Sequence, residues 1–137
     1  MDQILDRLWL GSWDDGALQD QLGPACCCTY LLNLSERPYQ STLPIAHLPL
    51  ADEAFHAPAV WARRVHALAA LLTTRQTVLV HCRLGVSRAP SLVAAYLAWC
   101  GHSRDPEHAL VWVLARRSCV KPHPETWRGV IYWYDSL

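Results

Sequence analysis

Cys82 and Arg88 stand six positions apart in the run Thr77–Ser91, which reads TVLVHCRLGVSRAPS. A thiolate is a strong nucleophile, and a guanidinium is a planar fork suited to two phosphate oxygens. Gly85 between them allows a positive φ or a close backbone approach. The β-branched apolar run from Thr77 to Val80 predicts a buried strand. Past Pro90 the chain becomes apolar with helical character, through Leu92, Val93, Tyr96, Leu97 and Trp99. A strand–loop–helix joint aims successive backbone N–H groups and a helix N-terminus at one point, a concavity that binds anions and phosphate above all. The N–H groups of Arg83, Leu84, Gly85, Val86 and Ser87 are the expected donors. The same positive field favours the Cys82 thiolate. An arginine in a first helical turn opposes the macrodipole, which a bound anion would explain. A nucleophile held against phosphate implies phosphoryl transfer through a cysteinyl-phosphate. The plainer alternatives are a buried structural thiol at Cys82 and a surface ion pair at Arg88.

His81-Cys82-x5-Arg88, with Gly85 and Ser87 inside it, resembles the signature loop of the cysteine-dependent protein tyrosine phosphatases. Its Gly-x-Ser-Arg ending is most similar to the dual-specificity branch. Leu5–Ser12, Tyr30–Leu34 and Ala109–Arg117 followed by Val120-Lys121-Pro122 resemble other parts of that family, so the likeness spans nearly the whole chain. It implies an atypical, compact catalytic domain over residues 1–137. In the family the residue at His81 sits behind the nucleophile, orienting the loop and tuning the thiolate. The chemistry also needs an acid for the leaving oxygen and a base for water, roles one carboxylate can fill in turn. The family places this aspartate in a loop after a short strand, well before the cysteine. Leu48-Pro49-Leu50-Ala51-Asp52-Glu53 matches, which makes Asp52 the acid/base and Glu53 its backup. An ordinary acidic surface loop is the alternative there. Ala89 stands where the family usually has Ser or Thr, a hydroxyl understood to help the thiolate leave. Pro122-His123 replaces the usual Pro-Asn.

Around the loop, Leu5–Leu10 reads as a first strand and Trp13–Leu22 as a short helix. Cys26–Leu34 reads as a central strand covered on both faces, and Ile45–Leu50 as another. From Pro58 a helix carries Trp61, Val65, Leu68 and Leu72 on one stripe. Asp105-Pro106 starts a helix burying Leu110, Val113 and Leu114, with Arg116 and Arg117 complementing its C-terminus. A last helix from Pro124 is expected to bury Trp127, Ile131 and Tyr134. The fold class is α/β, with a central, mainly parallel sheet of four or five strands flanked by helices.

The 137 residues suit a single domain. Zero formal net charge gives no global field toward nucleic acid or an anionic membrane. The N-terminus lacks an apolar signal segment, and no uncharged run is long enough to span a bilayer. A soluble, cytoplasmic or nuclear protein with reduced thiols is expected. Cys26, Cys27 and Cys28 read as small core residues, or as a resolving thiol for Cys82. No Cys-x2-Cys pair with matching histidines suggests zinc, so neither metal nor cofactor is expected. Trp13, Phe55 and His56 are candidates for the site's rim.

The resemblance implies a phosphoprotein substrate, with hydrolysis of phosphotyrosine and phosphoserine or phosphothreonine. The alternatives are a catalytically weak phosphoprotein-binding module, which Ala89 keeps open, and a phosphoinositide phosphatase, for which only Arg83 is an extra basic residue in the loop.

Overall fold

The computed structural model describes residues 1–137, the Pro24 side chain excepted. Five strands form one sheet in the order β1 (Asp2–Leu5), β2 (Leu8–Gly11), β5 (Val78–His81), β3 (Tyr30–Asn33), β4 (Ile45–His47). Neighbours from β2 to β4 run parallel, and β1 pairs antiparallel with β2. The expected first strand is thus a hairpin. Its two-residue turn is Asp6-Arg7, with Arg7 at φ 63°. The Arg7 side chain donates to the carbonyls of Leu72 and Gln76, tying the turn to the end of a helix.

Strand alternation divides the interior. Val78 and Val80 join Leu8, Leu10, Leu32 and Leu34 in the main core, which α2 (Pro58–Thr73), α3 (Arg88–Trp99), α4 (Pro106–Arg116) and α5 (Pro124–Asp135) cover. Leu79 faces the other way, into a smaller cluster with Cys28 and Leu31. That face is covered by α1 (Trp13–Ala17) and the neighbouring loops. Ser12 caps α1 and exchanges hydrogen bonds with Asp15, a capping box that sets the direction of the chain leaving β2. The rest of the expected first helix is reduced to a single 3-10 turn, Gln19–Gln21, and a second, Gly23–Ala25, follows just beyond its expected end.

The stripe Trp61, Val65, Leu68 and Leu72 is buried in α2, as its spacing predicts. Each such side chain contributes roughly 1.5–3 kcal/mol. The stripes of α4 and α5 differ from expectation. α4 buries Ala109 and Val113 while Leu110 is half-buried and Leu114 is exposed. α5 buries Thr126, Gly129, Val130 and Trp133, leaving Trp127, Ile131 and Tyr134 half-buried. Close packing decides this. A Cβ on Gly129 would come within 2.8 Å of Trp61 Nε1, so the face of α5 against α2 requires its smallest residue. The apolar run from Cys26 pairs as a strand only from Tyr30; Cys26 to Cys28 precede the ladder.

The register aligns the ends of the parallel strands. Gly11 pairs with His81, His81 with Asn33, and Asn33 with His47. Four loops therefore leave one edge of the sheet together, at the carboxyl ends where open α/β sheets bind ligands.

Candidate active site

Loop 82–87 connects β5 to α3, and its carbonyls are all engaged. His81 Nδ1 lies 3.2 Å from the Cys82 oxygen. Trp13 N–H donates to Arg83 O at 2.9 Å, and Lys121 N–H to Val86 O at 2.8 Å. Arg117 donates to Leu84 O from Nη2 at 3.1 Å and to Gly85 O from Nε at 2.9 Å. Ser91 N–H closes onto Ser87 O at 3.0 Å. In a trans peptide the carbonyl and the following N–H point in opposite directions. Six carbonyls held outward thus turn six N–H groups, Arg83 to Arg88, to the inner side. Among the described residues none of these six has an acceptor. Buried amides in folded proteins are otherwise almost always paired. Six free donors in succession, ending at the first turn of α3, make a cradle for a multiply charged anion.

Gly85 supplies the bend, at φ 68°. A Cβ there would collide with the Gly11 carbonyl and with Arg117. The strand before it and the helix after it are both buried, so the cradle rests on rigid supports.

A pocket of about 270 Å³ opens over the cradle. Cys82, Arg88, Asp52 and Glu53 all line it, with Lys121 and His123 on the opposite rim. Cys82 is only 3% exposed, at the pocket floor. Arg88 is equally buried. Its Nη1 donates to Glu36 Oε1 and to the Leu50 carbonyl, each at 2.9 Å. Its Nε lies 3.4 Å from Asp52 Oδ1. The anchoring at Nη1 fixes the plane of the fork and leaves Nη2 and Nε to the pocket side. Asp52 is partly exposed and also accepts the Glu53 N–H. Glu53 takes a left-handed turn, φ 53°.

Beneath the loop, Tyr39 OH is 2.7 Å from His81 Nε2. Nδ1 faces a carbonyl, which can only accept, so Nδ1 carries the hydrogen and Nε2 accepts from tyrosine. Burial lowers the His81 pKa to about 4, so the ring is neutral near pH 7. Gly16 of α1 makes room: a Cβ there would press on both His81 and Tyr39.

Several functions of side chains were not legible in the sequence. Glu36, Tyr39 and Arg117 gave no motif, and Arg117 serves the loop rather than the helix end alone. His123 keeps a link to the loop by its backbone, whose N–H donates to Ser87 Oγ at 2.8 Å. Ser87 Oγ accepts in that bond, and among the described residues no hydroxyl, Ser87 included, hydrogen-bonds to Cys82 Sγ in place of the one missing at Ala89. Of the expected rim residues, Trp13 lies beside an adjoining cavity. Phe55 packs on Tyr132 and Arg128, and His56 on Trp61, outside the pocket lining. The resolving-thiol idea is overturned by the register. Cys28 precedes Tyr30, the partner of Val78, whereas Cys82 follows the far end of β5. At about 3.3 Å per residue this puts roughly 20 Å between them.

The family model for the dual specificity phosphatase catalytic domain matches residues 8–136. The chain belongs to this family. Among curated dual specificity phosphatases, human dual specificity protein phosphatase 14 is 34% identical over 95 residues, covering 69% of this chain and 46% of that protein. Protein phosphatase Slingshot of Drosophila melanogaster is 43% identical over 60 residues, covering 39% of this chain and 6% of its own length. The chain thus spans less than half the length of these relatives. The dual specificity phosphatase fold extends over the whole chain. Human DUSP28 superposes with a TM-score of 0.86 at 21% identity, covering 99% of this chain and 96% of that one. The human tyrosine phosphatase-like serine/threonine/tyrosine-interacting protein gives 0.84 at 20% identity, with the same coverage. No helix is long and apolar enough to cross a membrane.

Proposed function

We propose that this domain hydrolyses phosphate monoesters of phosphoproteins, on tyrosine and on serine or threonine, through a cysteinyl-phosphate. The six unpaired N–H groups beside Cys82 and Arg88 carry the reading. They suit the equatorial oxygens of a phosphoryl group, where charge spreads in the transition state. Cys82 Sγ attacks phosphorus; the P–S bond forms as the ester P–O bond breaks. Asp52 gives its proton to the departing oxygen. Water then attacks phosphorus, Asp52 takes a proton from it, the P–S bond breaks and inorganic phosphate leaves with the thiolate restored. Arg88 holds two phosphoryl oxygens through Nε and Nη2. Each step conserves charge and protons without a metal or redox partner.

Family membership supports phosphoprotein as substrate class. The absence of a hydroxyl at Ala89 favours a second reading, a module that binds phosphoprotein with little turnover. Release of p-nitrophenol from p-nitrophenyl phosphate, in reductant, separates the two. The hydrolase reading requires activity in the wild type and its loss in Cys82→Ser. A wild type without activity across pH 5–8, yet binding phosphopeptide, leaves only the binding module. Preferential phosphate release from phosphoinositides over phosphopeptides would replace the protein substrate by a lipid one.

A further inference from the structure

A second cavity of about 540 Å³ adjoins the first and shares Arg83, Leu84 and Arg88 with it. Its far wall is built by Trp13 and Arg37. The Arg37 Cζ stacks 4.0 Å from the centroid of the Trp13 ring. Trp13 Nε1 in turn donates to the Arg37 carbonyl at 3.0 Å, and Tyr39 packs edge-on against the same ring. The guanidinium is thereby held over an aromatic face without using any N–H group.

The charges around this cavity do not cancel. Arg88 is paired with Glu36. That leaves Arg37 and Arg83 against one carboxylate, Asp14. Among the described residues neither guanidinium has a carboxylate within 4.0 Å. Neither finds a hydrogen-bond acceptor. One arginine fixed on an aromatic face and a second beside it, both with free donors and both next to a pocket shaped for phosphate, select a further anionic group on the same substrate.

We infer that this cavity binds an acidic side chain flanking the phosphorylated residue of a peptide, with Arg37 and Arg83 as its partners. The inference rests on the pocket at Cys82 taking a phosphorylated side chain. Three observations favour a peptide over a membrane lipid. Two free cations with Asp14 among them match a single carboxylate better than a polyphosphorylated headgroup. The chain has no net charge to draw it to an anionic surface. Leu84, 61% exposed on the divide between the two cavities, offers an apolar step for a peptide to cross.

The test is binding of labelled phosphotyrosine peptides to the Cys82→Ser chain, followed by fluorescence anisotropy. All flanking positions are alanine except one glutamate, moved through the sequence. At one position glutamate should tighten binding about fivefold, and the gain should fade in high salt, as an exposed charge contact does. In a chain that also carries Arg37→Gln the ratio of glutamate to alanine peptide should return to about one, with an unchanged melting temperature as the folding control. This substitution spares the Arg37 carbonyl that receives Trp13, Asn33 and Ser35. No favoured position, or a gain that survives Arg37→Gln, overturns the inference. So does Arg37-dependent binding to phosphoinositide vesicles without any acidic preference among peptides. Failure of the wild type to hydrolyse p-nitrophenyl phosphate would refute catalysis alone, since the peptide preference is read on the trapped, non-hydrolysing chain.

Discussion

Glu36 holds Arg88 from the side away from the pocket, Oε1 to Nη1 at 2.9 Å, across 52 residues of sequence. The pair is unequal: the arginine side chain is buried, whereas the glutamate is largely exposed. Its stability contribution is therefore small, within about 1 kcal/mol. On the proposed mechanism its effect on function is larger, because it sets which edge of the fork faces the bound phosphoryl group. Glu36→Ala should lower kcat/KM for p-nitrophenyl phosphate about tenfold, equivalent to ~1.4 kcal/mol, with little change in melting temperature. Unchanged kinetics would mean that the Leu50 carbonyl alone orients Arg88.

Arg117 performs the corresponding task for the loop itself. Its guanidinium reaches two loop carbonyls and the Asp2 carboxylate together. Arg117→Met keeps the length of the side chain and removes every donor. Leu84 and Gly85 are then free to rotate their peptides and spoil the row of inward amides. The variant should lose about tenfold or more in kcat/KM, and inorganic phosphate or vanadate should inhibit it more weakly by a similar factor. Activity lost with inhibitor affinity intact would place the effect elsewhere.

His81 links the site to acid stability. Its folded pKa, about 4, lies below the ordinary 6.5, and burial is the main cause. The unfolded chain binds the proton first as pH falls. This contribution is therefore complete above about pH 6.5, is lost between about 6.5 and 4, and changes no further below that. Its size is on the order of 3 kcal/mol. Urea midpoints of the wild type should fall across that window, and His81→Asn should show a shallower fall. Parallel curves would refute a buried neutral imidazole.

The sequence makes one part of the site readable and hides another, for a physical reason. Cys82, Gly85 and Arg88 lie in one loop, so local spacing carries their relation. Glu36, Tyr39 and Arg117 reach Arg88, His81 and the loop carbonyls from other parts of the chain, and only the tertiary fold brings them there. The buried stripe of α2 is legible because one apolar face meets one core. That of α5 is not, because the contact with Trp61 selects Gly129 over the larger Trp127 and Ile131. The hairpin at Asp6-Arg7 lacks the Gly or Asn that normally marks such a turn. The triple cysteine is apolar enough to read as strand, yet the ladder begins only at Tyr30.

Ala89 is fully buried in the first turn of α3, where the family usually carries a hydroxyl. Ser87 Oγ only accepts from the His123 N–H, Ser91 Oγ is buried without a partner outside the pocket lining, and among the described residues no hydroxyl hydrogen-bonds to Cys82 Sγ. Without a donor to the leaving thiolate, breakdown of the phospho-enzyme should be the slow step. Stopped-flow hydrolysis should show a burst of p-nitrophenol followed by a slower steady state. Ala89→Ser should shrink the burst and raise steady turnover about three- to tenfold. A wild type with no burst, or a variant with unaltered turnover, would show that another group already assists departure.

Asp52 sits 3.4 Å from Arg88 Nε, on the loop that closes one side of the pocket. Distance alone does not separate an acid from a charge partner of Arg88, but leaving-group chemistry does. A general acid matters most when the departing oxygen is strongly basic and little when it is a good leaving group. Asp52→Asn should therefore slow formation of the phospho-enzyme from phenyl phosphate about 100-fold or more. With p-nitrophenyl phosphate the loss should be distinctly smaller. The corresponding amide substitution, Glu53→Gln, should affect both substrates mildly and alike. Equal losses on both substrates for Asp52→Asn would reduce that carboxylate to an electrostatic partner. A selective loss in Glu53→Gln would transfer the proton to its neighbour.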